Sequence, residues 1–193
     1  DNVIGQDLTI TGAAYRYANP VITPTTITLA NVHVGDVSEQ ALNVLNDVPD
    51  DGFSETLNAS FGINSGDAVN NVGTINLLGP SAVNNSALVA GINTSTAGAK
   101  VGTVTIDLVS DGSGSSELGL TNLSSQMVNV TGNVFRFASA NASPDPIVLA
   151  NVHIGDVSNQ ALTINNLAIA DGFSESLNAS FGGNSGDATN NGG

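Results

Sequence analysis

The sequence predicts an all-β chain of tandem β-sandwiches with a 120-residue period. Three observations predict it. β-Branched residues are abundant: 20 Val, 12 Ile and 16 Thr make up about a quarter of 193 residues, and such stiff side chains suit a pleated surface. Charged helix formers are scarce, with one Lys, two Arg and four Glu, whereas 22 Gly and 25 Asn serve turns. The chain also repeats itself. LANVHVGDVSEQAL (29–42) returns as LANVHIGDVSNQAL (149–162), DGFSETLNASFG (51–62) as DGFSESLNASFG (171–182), and NSGDAVNN (64–71) as NSGDATNN (184–191). Residues 9–73 align without a gap onto 129–193, with 38 identities in 65 pairs. A fixed long period means an array of similar units.

Period-two alternation places strands near 27–34, 40–45, 53–61, 72–78, 87–93, 101–109 and 126–137. Phe53, Leu57, Ala59 and Phe61 form one inward row; Leu88, Ala90 and Ile92 form another. Val104, Ile106 and Leu108 share a face, as do Val128, Val130 and Val134. Gly, Asn, Asp and Ser mark the loops 46–52, 62–71, 79–86, 94–100 and 110–125. No stretch shows helical apolar spacing with caps. Seven strands in about 110 residues is the arithmetic of an immunoglobulin-like sandwich. Seven antiparallel strands leave the termini at opposite poles, so units would stack end to end at about 35–45 Å each.

The Pro-containing stretches 19–26 and 139–146 read as linkers. This makes 1–18 the last strand of a preceding unit, 19–138 a complete sandwich and 139–193 the first half of a following unit. The expectation is a stretch of a longer polypeptide. The alternative is a protomer whose open half-domain is completed by strands of a neighbour.

Charge narrows the partners. Seventeen acidic and three basic residues give a net charge of −14, and only 10 % of residues are charged. Nucleic acids and anionic membrane surfaces attract clustered Lys and Arg, so neither is expected as a partner. No apolar run approaches the roughly 20 residues of a bilayer crossing, and no signal-peptide pattern is read. There is no cysteine, hence no disulfide framework. The rarity of Lys and Arg leaves little for a trypsin-like protease, which points to the extracellular space or the cell surface.

The segments DGFSETLNASFG, NTSTAGAKVGTVTIDLVSDGSG and LSSQMVNVTGNVFRFA together resemble repeats of large bacterial secreted or surface proteins of the choice-of-anchor D type. Those repeats are similar to ASPM–SPD-2–Hydin (ASH) immunoglobulin-like modules. The resemblance implies a long, exported, surface-anchored protein and brings no catalytic residues with it.

Site chemistry is sparse. No nucleophile elbow, phosphate loop or dinucleotide fingerprint is present. His33 and His153 hold one repeat position, and one His per unit without Cys makes no three-ligand zinc site. Both are read as strand-end residues. Lone Lys100 raises an intramolecular isopeptide bond, but Ala-Gly-Ala-Lys before a strand reads as an exposed turn. Calcium is the one cofactor the residues suggest. Asp36, Asp51, Glu55 and Asp67 recur as Asp156, Asp171, Glu175 and Asp187, and hard cations want oxygen ligands. Against this, Asp47 becomes Leu167 and Asp50 becomes Ala170, so the densest acidic cluster is not repeated.

The arginines are more telling. Arg16 and Arg136 share one repeat position at the end of the final strand. The expectation is a junctional salt bridge of Arg136 with Asp171 or Glu175, and of Arg16 with Asp51 or Glu55. The alternative pairs each arginine within its own unit, with Asp36 or Asp67. The expected role is non-enzymatic: a structural repeat of a fibre, filament or stalk, with neighbouring copies of itself as partners. The alternative is an adhesin holding a glycan or protein through its loops. Against it stand 4 % aromatics and no Trp, because sugar sites favour aromatic platforms.

Overall fold

The computed structural model describes residues 5–191 and is all-β, with no helix among them. In chain order the strands are β1 (Pro20–Thr23), β2 (Thr26–Thr28), β3 (Val32–His33), β4 (Glu39–Ala41), β5 (Asn43–Asn46), β6 (Thr56–Gly66), β7 (Ala68–Asn70), β8 (Thr74–Leu78) and β9 (Val83–Asn84). They continue with β10 (Val89–Ile92), β11 (Gly98–Asp111), β12 (Leu120–Asn122), β13 (Gln126–Phe135), β14 (Ala140–Ser143) and β15 (Thr163–Asn166). The chain divides into two compact units. One holds the residues up to Ala30, Ser38–Asn93 and Lys100–Gly132; the other holds Asn31–Val37, Thr94–Ala99 and the residues from Asn133 onward. Residues 1–4 and 192–193, the ends of the expected segments 1–18 and 139–193, lie outside the described residues.

In the first unit a large sheet runs in the order β2-β13-β11-β6-β8, with β12 beside β11. Two three-stranded sheets, β1-β5-β9 and β4-β10-β7, accompany it. The alternation read from sequence becomes burial for most of these rows, but Phe53, expected inward with Leu57 and Ala59, lies before β6 and is 45 % exposed. Val104, Ile106 and Leu108 of β11, Leu57 and Ala59 of β6, and Val128 and Val130 of β13 are all buried. Leu42, Val44, Leu88, Ala90 and Ile92 fill the same core from the smaller sheets. Gly132 shows how closely the layers face each other. A Cβ there would lie 2.7 Å from Ile92 Cδ1, so the missing side chain makes room for the isoleucine of the opposite layer.

Several sequence expectations are corrected. The path is not wholly antiparallel, because β2 runs parallel to β13, with Val130 opposite Ile27. The expected strand 27–34 is split into β2 and β3, and the strand 40–45 changes sheet at Leu42. The linker 19–26 contains β1, which pairs with β5; Pro20 sits at the first strand position, where its missing N–H is least costly. The linker 139–146 likewise contains β14. The loop 62–71 is taken up by the end of β6 and by β7, and 110–125 contains β12. Lys100 lies in β11 and is only 6 % exposed, not in an exposed turn.

In the second unit β3 lies parallel to the end of β13, with Val32 opposite Val134. β14 and β15 form an antiparallel pair. Val134 is buried. Most other side chains from Ala140 onward are exposed, Ile147, Val148, Leu149 and Val152 among them.

Candidate functional site

The candidate site is a constellation built twice, 120 residues apart, around the two arginines. In the first unit Arg16 donates its backbone N–H to Phe53 O (2.8 Å) and accepts from Glu55 N (3.0 Å). In the second, Arg136 donates to Phe173 O (2.9 Å) and accepts from Glu175 N (3.0 Å). These parallel bridges bring each arginine's side chain over the loop that begins with Asp51 or Asp171. Arg16 Nη1 lies 2.7 Å from Asp51 Oδ2, and Arg136 Nη1 lies 2.7 Å from Asp171 Oδ1. Arg136 also donates to Ser174 Oγ at 2.9 Å. The preceding aromatic packs against the loop aromatic in both copies: Tyr15–Phe53 and Phe135–Phe173 ring centroids are each 5.6 Å apart. An asparagine closes the frame, Asn46 donating to Glu55 O (3.1 Å) and Asn166 to Glu175 O (2.9 Å).

The carboxylates of these clamps are held in their charged form. Asp171 lies below its ordinary value because the Arg136 guanidinium and then the Phe173 amide donate to it. Asp51 is lowered first by the Phe53 amide and then by Arg16. The amide contribution is local, since an aspartate accepting the N–H two residues on is an Asx turn.

The two glutamates of the repeat diverge. Glu55 is buried and accepts from Ser110 Oγ (2.7 Å) and Ser116 Oγ (2.5 Å). Glu175 is partly exposed and meets His33, Nε2 to Oε1 at 2.6 Å. Neither glutamate takes the arginine. The His33 ring stacks on Phe137, centroids 4.0 Å apart and planes 18° apart. Its backbone N–H donates to Asp36 Oδ2 at 2.9 Å. Gly35 permits that tight turn with a φ of 91°, and Gly155 repeats it with 95°. Asn31, Val32, His33, Phe135 and Glu175 line a shallow cleft of about 290 Å³.

His33 ends β3, as expected, whereas His153 lies in no strand; the pairing of His33 with Glu175 is what sequence reasoning missed. The signal was available: His33, Asp36, the glutamate at 55 and 175, and the aromatic at 17 and 137 all recur in the repeat. A partner 142 residues away is invisible to local pattern.

The calcium candidates are not brought together. Asp51 and Asp171 take arginines, Glu55 takes two serines, Glu175 takes His33, and Asp67 stands 3.5 Å from Lys100 Nζ. Asp36 and Asp156 accept from the backbone of His33 and His153. Among the described residues no three His, Cys, Asp or Glu side chains gather in a way that would hold a metal ion.

No protein-family model and no curated protein matches the chain. Among solved structures it is similar to the ASH / PapD-like domain of human CEP192 (PapD-like domain 7), at 10 % identity and a TM-score of 0.44, over 70 % of this chain and 99 % of that one.

Proposed function

We propose that this chain is a stretch of a non-enzymatic structural array, in which immunoglobulin-like sandwiches of a 120-residue period stack end to end in an extracellular fibre, filament or cell-surface stalk. Residues 19–138 form the complete sandwich, 1–18 the last strand before it and 139–193 the first half of the next. Its partners are copies of itself.

The observation that carries this reading is the doubled clamp. An arginine is held by two backbone bonds and a carboxylate to the loop at 51–55, with the aromatic before it packed on the same loop, and the arrangement recurs 120 residues on at Arg136, directly after β13. Partly exposed ion pairs contribute only about 0–1 kcal/mol, so such a clamp serves geometry more than stability. An array that carries load or sets a spacing needs that geometry at every joint. The abundance of Asn and Thr and the low charge density suit lateral contact between copies.

Charge reversal tests it. Arg136→Glu and Asp171→Arg, each alone, should alter the small-angle scattering profile of the chain, and the double reversal should restore it. Scattering that is unchanged in both single variants contradicts the reading.

A further inference from the structure

Among the described residues, two stretches carry the pattern of a strand pair but join no ladder. Among the described residues, 7–15 join no ladder, and Leu8 and Ile10 are 86 % and 87 % exposed. Residues 144–154 join none either, and Val148 is 81 % exposed. One repeat away the same two stretches are paired. Residues 127–135 lie in β13, which runs parallel to β2 and β3. At the 120-residue offset Leu8, Ile10 and Ala14 correspond to Val128, Val130 and Val134, and Ile147 corresponds to Ile27. All four of those counterparts are at most 1 % exposed.

We propose that residues 7–15 of one copy add as a parallel strand along residues 145–154 of a second copy. The inference deepens the array reading above and rests on it, because it takes the repeat offset as a structural register. An unpaired strand edge is a template for such addition, with backbone bonds for affinity and alternate side chains for specificity.

The register follows residue by residue. Val130 stands opposite Ile27 and Val134 opposite Val32, so Ile10 stands opposite Ile147 and Ala14 opposite Val152. Leu29 N donates to Thr131 O at 2.8 Å and Asn129 N to Thr25 O at 3.0 Å. The matching bonds are Leu149 N to Thr11 O and Thr9 N to Asp145 O. The acceptor stretch contains Pro146, at the place of Thr26. In this ladder positions 25 and 29 make the bonds to β13, so position 26 turns its N–H away by alternation and a proline there forfeits none.

A second copy is the occupant because the contact leaves the donor's own clamp intact. Phe135 pairs with His33 through its backbone while its ring stays on Phe173. Tyr15 can do the same on a neighbour while its ring stays on Phe53 and Arg16 stays on Asp51. The contact is head to tail, so it propagates into a filament rather than closing a dimer. With a net charge of −14 per chain, copies repel, and added salt should strengthen the association by screening.

The absence of cysteine makes the test clean. Ile10→Cys chains are mixed with Ile147→Cys chains, or with Val148→Cys chains, and oxidised. The first mixture should give mixed disulfide dimers at roughly five-fold the yield of the second, because one residue of slip turns the side chain to the other face. Sedimentation of the unmodified chain should show self-association that increases with salt and vanishes when residues 1–14 are removed. Equal cross-linking at both positions, association that survives the removal, or a monomer at every concentration overturns the proposal; the last includes an edge covered by the same chain. A monomer whose Arg136/Asp171 charge reversals still behave as stated above would leave the array reading standing and remove only this contact.

Discussion

Glu55 and Glu175 occupy one repeat position and meet different chemistry, which separates what a residue encodes from what its neighbours supply. Glu55 is fully buried between two serine hydroxyls, and removing it would take away the charged acceptor of both. Glu55→Ala should lower stability by about 2 kcal/mol, seen as a lower urea midpoint at unchanged slope. Glu55→Gln, which keeps an acceptor, should cost less. The aspartates give a pH dependence. Asp51 and Asp171 titrate below the ordinary aspartate range in the folded chain, as does Asp111, held there first by the Ser113 hydroxyl. Depressed folded values mean stability that is complete above the unfolded value and lost as pH falls through the folded ones. Urea midpoints should therefore be level through neutral pH and fall below about pH 4, with a shallower fall in Asp171→Asn. An acid limb unchanged by that substitution would contradict the clamp.

At the scale of the element, the even-numbered row of β11 was readable because alternation is a local property: Val104, Ile106 and Leu108 are buried as their spacing requires. What escaped the sequence was pairing. Parallel contact between β2 and β13 joins residues about a hundred positions apart, and the stretch 19–26, rich in Pro and Thr, looks like linker until β5 offers it an edge. Lys100 escaped for a related reason. Ala-Gly-Ala-Lys is turn-like in isolation, but the register of β11 turns position 100 inward toward Asp67. Backbone closeness decides another position. A Cβ on Gly102 would lie 2.4 Å from both Ala68 N and Ser65 O. Gly102→Ala should therefore force β6 and β11 apart and cost about 1–3 kcal/mol, measurable as a lower melting temperature and faster amide exchange at Ser65 and Thr103. Protection equal to the parent chain would mean the ladder yields more easily than its geometry implies.

At the scale of the whole molecule, the 120-residue repeat was the most informative feature, and it made the arginine clamps predictable as residues. Their partners were only half predictable. The aspartate and the glutamate lie four residues apart and compete for one guanidinium; in both copies the aspartate takes it, while Glu55 is held by two serines and Glu175 by His33 from 142 positions away. The central claim is that His33–Glu175 and Arg136–Asp171 hold residues 31–37 and 133–175 in one fixed arrangement. Pulsed-EPR distances between spin labels on Val37→Cys and Ile169→Cys, both exposed positions in a cysteine-free chain, test it most directly. A single narrow distance distribution is expected, broadening when His33→Ala and Asp171→Asn are introduced together. A distribution that is broad from the start, or equally narrow without the two contacts, would contradict the account.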